Sequence, residues 1–253
     1  MNIVGIIPSR YASSRLPGKP LALIGDKSMV QWVYENCKKG LDDVFVATDD
    51  QRIIDAVEAF GGKAVMTAED HQSGTDRCAE AAEAIELKYG LKVDVVINIQ
   101  GDEPFFEAQQ LVDIKQAFED KTVQLATLIK KADSIDQVTD IGEAKVILNE
   151  KNDAILFSRS PIPFIRNHVQ SEWLKHHDFY LHLGIYAYHI DALKKIVKLK
   201  PSSLELAESL EQLRWIENGI PVRCVVTEND ETMCIDTEED LIKANEYVKT
   251  LSK

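Results

Sequence analysis

Positive charge is scarce in this sequence: 29 lysines and arginines face 42 aspartates and glutamates, a net charge of −13 over 253 residues. Such a chain repels phosphate backbones and anionic lipid, so general nucleic-acid and membrane-surface binding are disfavoured and any bound anion must meet a local group of Arg and Lys. Cysteine is scarce too. Cys37, Cys78, Cys224 and Cys234 form no C-x-x-C pair and no zinc-like grouping, and they read as free thiols, with Cys37 sharing a helical face with Met29 and Val33 as a core thiol. No stretch approaches the roughly 18 apolar residues of a membrane span, and MNIVGIIPSR lacks a basic segment followed by a signal-length apolar core; the expectation is a cytoplasmic protein. Internal repeats, low-complexity tracts and linkers are missing, so residues 1–253 read as a single domain. Both common phosphate loops are missing as well. G-x-x-x-x-G-K-[ST] fails at Ser13 and Pro20, and no G-x-G-x-x-G follows the first strand, which weighs against a P-loop NTPase and a dinucleotide-binding oxidoreductase.

What is present is enough apolar material, 45% of residues, to bury a full-sized core. Asn2 to Pro8 is a short apolar run that predicts a buried strand of a parallel sheet. A loop leads to a helix from Ser28, its N-cap, to Gly40. The pattern repeats: a strand at Val44 to Ala47, a helix capped by Asp49 or Asp50 with Ile53, Ile54 and Val57 on one face, a stop at Gly61-Gly62 and a strand at Ala64 to Met66. A helix at Thr75 to Tyr89 and a strand at Val93 to Ile99 complete an alternating βα order, which predicts a mostly parallel sheet sandwiched by helices. Met66 and the aromatic residues at helical spacing read as core. The second half is less regular. Strands are expected at Leu125 to Ile129, Lys145 to Leu148 and Ala154 to Phe157, the last two as a hairpin through Asn152-Asp153. An aperiodic excursion runs from Pro161 to Tyr180, then a strand at His182 to Tyr188, helices near Asp191 to Leu199 and Leu204 to Asn218, a strand at Val222 to Val226, and a last helix from Glu238.

In open α/β sheets ligands bind beyond the carboxyl ends of the strands, which directs attention to the loops there. The first, SRYASSRLPGKPL, places Arg10, Arg15 and Lys19 close together in an acidic chain, with Gly18 allowing close backbone approach. It reads as an anion site or as a solvated basic loop. At Gln100-Gly101-Asp102-Glu103-Pro104 an apolar strand ends in a carboxylate, placed either to hold Mg²⁺, which takes one or two carboxylates, or to cap the next element. Asp236, in Met233-Cys234-Ile235-Asp236, precedes the T-x-x-D capping box of the last helix and could share such an ion. In HQSGTDR, Ser73, Gly74 and Thr75 either present N–H groups to a base or phosphate or cap a helix. His176 and His177, adjacent in sequence, diverge and form no metal pair.

Together these segments resemble the 3-deoxy-manno-octulosonate (KDO) cytidylyltransferases, from end to end. The resemblance rests on IIPSRYASSRLPGKPL, VATDD, EDHQSGTDR, NIQGDEP, FSRSPIPF, HLGIYAY, SLEQLRWIENG and IDTEEDL, in family order. R-x-x-S-x-R-L-P-G-K marks the wider group that activates acidic sugars; HQSGTDR with SLEQLR marks the KDO branch. The resemblance implies a three-layer α/β/α, nucleotide-diphospho-sugar transferase-like fold, a homodimer whose contact lies near residues 159–190, and attack of the KDO anomeric hydroxyl on the α-phosphate of CTP. It assigns catalysis to Lys19, Arg15, Asp102 and Asp236, with Mg²⁺ on Asp102 and Asp236. It assigns CTP binding to Arg10, Ser13, Arg15, Lys19, Ser73, Gly74, Arg77 and Asp102, and sugar binding to Gln100, Arg159, His182, Tyr186, Glu211 and Gln212. One departure is Leu206, where the family pattern leads one to expect Gln, a change expected to alter contacts near the sugar. Rival readings are the same chemistry on 8-amino-KDO or a sialic-acid-type sugar, and a non-catalytic nucleotide-sugar binding subunit. The product would feed lipopolysaccharide assembly.

Overall fold

The computed structural model describes residues 1–12, 15–228 and 233–251. They group into two compact units, Met1–Val112 together with Glu231–Lys253, and Asp113–Asp230. The first unit opens on β1 (Ile3–Ser9), with Val4, Ile6 and Ile7 fully buried, as suits a strand covered on both faces. A short hairpin, β2 (Leu23–Ile24) and β3 (Lys27–Ser28), leads into α1 (Met29–Cys37). Next come β4 (Asp43–Thr48), α2 (Gln51–Ala59), β5 (Ala64–Met66), α3 (Gly74–Tyr89) and β6 (Val95–Asn98). The strands lie in the order β6-β1-β4-β5, all parallel. Helix starts follow capping chemistry: Asp50 accepts the Arg52 N–H, and Ser73 and Asp76 form a reciprocal capping box. Cys37 is fully buried, as its spacing predicts. Met66 is not core: it ends the outermost strand of this unit and is 46% exposed.

α4 (Gln109–Gln116) carries the chain into the second unit. There the elements are β7 (Leu125–Lys131), α5 (Ile135–Thr139), β8 (Lys145–Leu148), β9 (Ala154–Ser158), β10 (Tyr180–His189), α6 (Ile190–Ile196), α7 (Ser203–Glu208), α8 (Gln212–Glu217) and β11 (Arg223–Val226). β10 runs antiparallel to β7 and β8, β8 and β9 form the expected hairpin, and β11 is parallel to β7. The excursion before β10 packs around Trp173, with Ile165 and Leu174 beside it. Its short 3₁₀ segment, Gln170–Lys175, buries Trp173 among Ala132, Val138, Phe179 and Leu181. The single helix expected over Leu204 to Asn218 is two helices. Ser209 adopts φ 52° at the end of α7, and Arg214 in α8 folds back to donate two hydrogen bonds to Glu205, at 2.7 and 2.5 Å. Beyond this unit, α9 (Glu238–Leu251) returns the chain to the first.

One buried ion pair fastens the first unit internally. Arg77 of α3 is 1% exposed and donates to Thr67 Oγ1 at 2.6 Å and to Asp49 Oδ2 at 2.8 Å, linking α3 to the segments that follow β4 and β5. Removing one partner of such a pair strands the other charge in a dry setting. Asp49→Ala should therefore lower stability by about 3–5 kcal/mol. Asp49→Asn with Arg77→Met should recover part of that loss; urea unfolding of the two variants checks the order.

Candidate active site

The site of the first unit is assembled where β1 and β6 end. Past β1 the chain passes Arg10, which is exposed, and closes a turn in which the Gly18 N–H donates to the Tyr11 carbonyl at 3.1 Å. Gly18 has φ +69°, and a Cβ there would lie 3.2 Å from the Tyr11 ring. Both the left-handed backbone and the close approach call for glycine. The turn delivers Lys19 at the start of a 3₁₀ segment, while Leu16 packs in a core with Ile24, Met29, Ile235 and Ala244. Ile235 thereby pins the segment that precedes α9. Its N–H donates to the Asp102 carbonyl at 2.9 Å, which brings together two carboxylates far apart in sequence. Gly101 lets the end of β6 pass β1, since a Cβ there would lie 3.0 Å from the Pro8 carbonyl oxygen.

The result is a charged cluster. Lys19 Nζ donates to Asp102 Oδ2 and to Asp236 Oδ1, both at 2.8 Å, and Arg15 Nη1 lies 3.0 Å from Asp236 Oδ2. Burial works against the Lys19 charge, but hydrogen bonds and attraction from the two carboxylates outweigh it and raise the ammonium's pKa. The hydrogen bond from Lys19, against some burial cost and with help from Arg15, holds the Asp236 carboxyl below its usual range. Ligand atoms of Asp102, Cys234 and Asp236 lie within 4.8 Å of one another. Burial, reinforced by the two aspartates, pushes the Cys234 thiol up to about 12, and its soft sulfur is a poor match for a hard cation. Asp102 and Asp236 offer the oxygen donors that Mg²⁺ prefers.

The other residues assigned to the nucleotide, and Gln100 assigned to the sugar, are distributed around this unit. Ser13 lies outside the described residues. Ser73 caps α3 and Gly74 is that helix's first residue. Arg77 turns inward onto Asp49 and Thr67, a structural engagement. Gln100 is exposed just past β6.

The second unit carries a polar cluster on an aromatic platform. Between His182 and Tyr186 the pairing of β10 with β7 shifts register, a bulge that re-aims side chains. Thr127 Oγ1 donates its proton to the Ile185 carbonyl at 2.7 Å and lies 2.9 Å from His182 Nε2. A hydroxyl has one proton, so His182 donates through Nε2–H and Nδ1 is left as the acceptor. Phe157 and Tyr186 flank the imidazole at 5.3 and 5.1 Å, and Trp215 stands edge-on to Tyr186 at 5.0 Å. Glu211 precedes α8, and Gln212, 3% exposed, has a buried Nε2 with no partner among the described residues. Arg159 donates to the carbonyls of Glu208, Ile141 and Gly142. Leu206 is 71% exposed on α7. Sequence reasoning missed Glu208, whose carboxylate accepts from Ser158 Oγ at 2.7 Å and from the Arg159 N–H at 2.6 Å. It missed Thr127 too, which lies between apolar residues of β7. Neither has a local sequence signal.

A parallel α/β unit with cations and carboxylates gathered at its strand ends suits an enzyme that handles phosphates, and its likeness to known proteins makes it a nucleotidyltransferase. The family model for Cytidylyltransferase matches residues 4–232. The 3-deoxy-manno-octulosonate cytidylyltransferase of Bacteroides thetaiotaomicron is 53% identical, with all of both chains covered. The enzyme of that name from Phocaeicola vulgatus is 51% identical over 98% of each chain. A solved structure of CMP:2-keto-3-deoxy-manno-octonic acid synthetase complexed with CTP superposes with a TM-score of 0.87 at 40% identity, over 99% of this chain and all of that one. The chain belongs to the 3-deoxy-manno-octulosonate cytidylyltransferase family.

Burial pushes the His182 imidazole down to about 4. As pH falls, the unfolded chain therefore takes up this proton first: stability is full above about 6.5 and declines until the folded ring protonates. The His182 contribution to that loss should be roughly 3 kcal/mol. Urea midpoints of the wild type and His182→Asn, measured from pH 7 to 4, should show a shallower decline in the variant; parallel curves would show that His182 carries none of it.

Proposed function

We propose that this chain transfers CMP from CTP to the anomeric hydroxyl of 3-deoxy-manno-octulosonate, giving CMP-KDO and pyrophosphate. The single observation that carries the reading is the Lys19 ammonium held between Asp102 and Asp236, with Arg15 beside it. Nucleotidyl transfer asks a protein chiefly to position the groups and to neutralise charge as pyrophosphate departs. Arg10, Arg15 and Lys19 supply that neutralisation, which an acidic chain has nowhere else along this loop. Lys19 stays fully protonated at neutral pH because its partners raise its pKa, so it acts as a fixed positive charge and not as a base. Ser73 and Gly74 present the start of α3 to the nucleotide, and Arg77 supports that helix from within.

Asp102 and Asp236 would hold Mg²⁺, and Asp236, kept ionised by Lys19 and Arg15, is ready to do so across the neutral range. Bound there, Mg²⁺ would neutralise the phosphates and favour ionisation of the attacking sugar hydroxyl. The polar cluster of the second unit is assigned the sugar. His182 stays neutral near pH 7 and can accept through Nδ1, while the buried Gln212 amide donor suits a hydroxyl or carboxylate, because an unsatisfied buried donor costs about 1–3 kcal/mol. Gln100, Arg159, Tyr186 and Glu211 complete the assignment. Exposed Phe164 and Val169, at 73% and 66%, support a homodimer contact on the excursion. Among the described residues no helix is long and apolar enough to cross a membrane. With the charge, this fits a cytoplasmic enzyme serving lipopolysaccharide assembly.

The test is pyrophosphate release from CTP and Mg²⁺ with KDO, run beside 8-amino-KDO and N-acetylneuraminate. Turnover should be strong with KDO, and Asp102→Asn or Asp236→Asn should each lower it about 100-fold or more while the fold survives. Release with another sugar alone would move the substrate; release unchanged in both variants would remove the metal assignment.

A further inference from the structure

We propose a second, separate metal site in the excursion of the second unit, in which His168, Glu172 and His176 bind a zinc-type divalent ion. One ligand atom from each lies within 4.8 Å of the others, and the two imidazoles are stacked with centroids 3.5 Å apart and an interplanar angle of 20°. Two imidazoles and one carboxylate form a donor set typical of zinc, with a fourth position left for water. It differs in kind from the all-oxygen pair of Asp102 and Asp236, which suits a hard ion.

The site is built on a fixed backbone. Trp173, buried in its own small core, donates from Nε1 to the His168 carbonyl at 3.1 Å. The Glu172 N–H donates to the Val169 carbonyl and the His176 N–H to the Trp173 carbonyl, each at 2.9 Å. The three Cα positions are therefore tied to one buried anchor, while the two rings above it are exposed. A tetrahedral ion with 2.0–2.1 Å bonds needs its donors about 3.3 Å apart. Exposed rings reach that spacing by rotamer change, with no movement of the chain. Lys175, 3.2 Å from Glu172 Oε1, is the only competitor among the described ion pairs, and its side chain is 68% exposed, so it yields readily. His177 takes no part: its ring meets Phe179 edge-on at 5.4 Å.

The experiment uses the full chain, stripped of metal and held in excess Mg²⁺ to occupy the carboxylate pair. Zn²⁺ is titrated calorimetrically and Co²⁺ by visible absorption. The wild type should bind one Zn²⁺ per chain and give the intense visible bands of four-coordinate cobalt. His168→Ala and His176→Ala should each weaken binding beyond the roughly 10- to 100-fold seen for loss of an outer-shell partner. Both should keep the metal-free melting temperature, since neither ring is buried within the chain. No Zn²⁺ binding by the wild type, or the same isotherm in the wild type and both variants, would overturn the proposal.

Discussion

Two carboxylates side by side repel unless a cation lies between them, and Lys19 is the cation that the chain itself supplies to Asp102 and Asp236. The surrounding architecture of the first unit serves this three-way arrangement. Gly18 gives the turn that presents Lys19, Gly101 gives the close strand passage that presents Asp102, and buried Ile235 fixes the residue before Asp236. An exposed ion pair of this kind would contribute little. Here the ammonium is largely enclosed, and Arg15 also holds the Asp236 carboxylate, so the charges stay where chemistry can use them.

The two units meet the same demand, fixing polar groups in place, by different means. In the first, parallel strands end together and their loops bring charges from several parts of the chain to one edge. In the second, an antiparallel strand is distorted by a bulge, and polar groups sit on packed aromatic rings whose geometry limits their rotation. His182 illustrates the second strategy: its tautomer is set by a threonine whose own proton is already committed.

The four parallel strands of the first unit were legible in the sequence as apolar runs, and β5 matches its expected span of Ala64 to Met66, whereas the β2–β3 hairpin fell in what reads as a loop. The caps were legible for the same local reason, as at Asp50 and Ser73. What local pattern could not show was tertiary. α4 was missed because Gln109–Gln116 lacks a cap signal, and the break at Ser209 was missed because no Gly or Pro marks it; Arg214 reaching back to Glu205 fastens the bend. Of the candidate site, the cationic loop and both carboxylates could be picked out by residue type, but their meeting depends on the Ile235–Asp102 backbone bond, which no spacing reveals. Arg77 was assigned to the nucleotide by resemblance, and only the structure shows it facing Asp49.

The first unit is discontinuous: it is interrupted after Val112 and resumes only beyond the second. Domains tend to form in order as a polypeptide is synthesised. The second unit, one unbroken stretch, has all its residues before the first has its closing helix. A nascent chain therefore already has Lys19 and Asp102 but lacks Ile235, Asp236 and α9 until the whole second unit has been made. Synthesis thus places assembly of the charged centre after the second unit, and a product terminated before Ile235 would lack the completed cluster however well its remaining parts had folded.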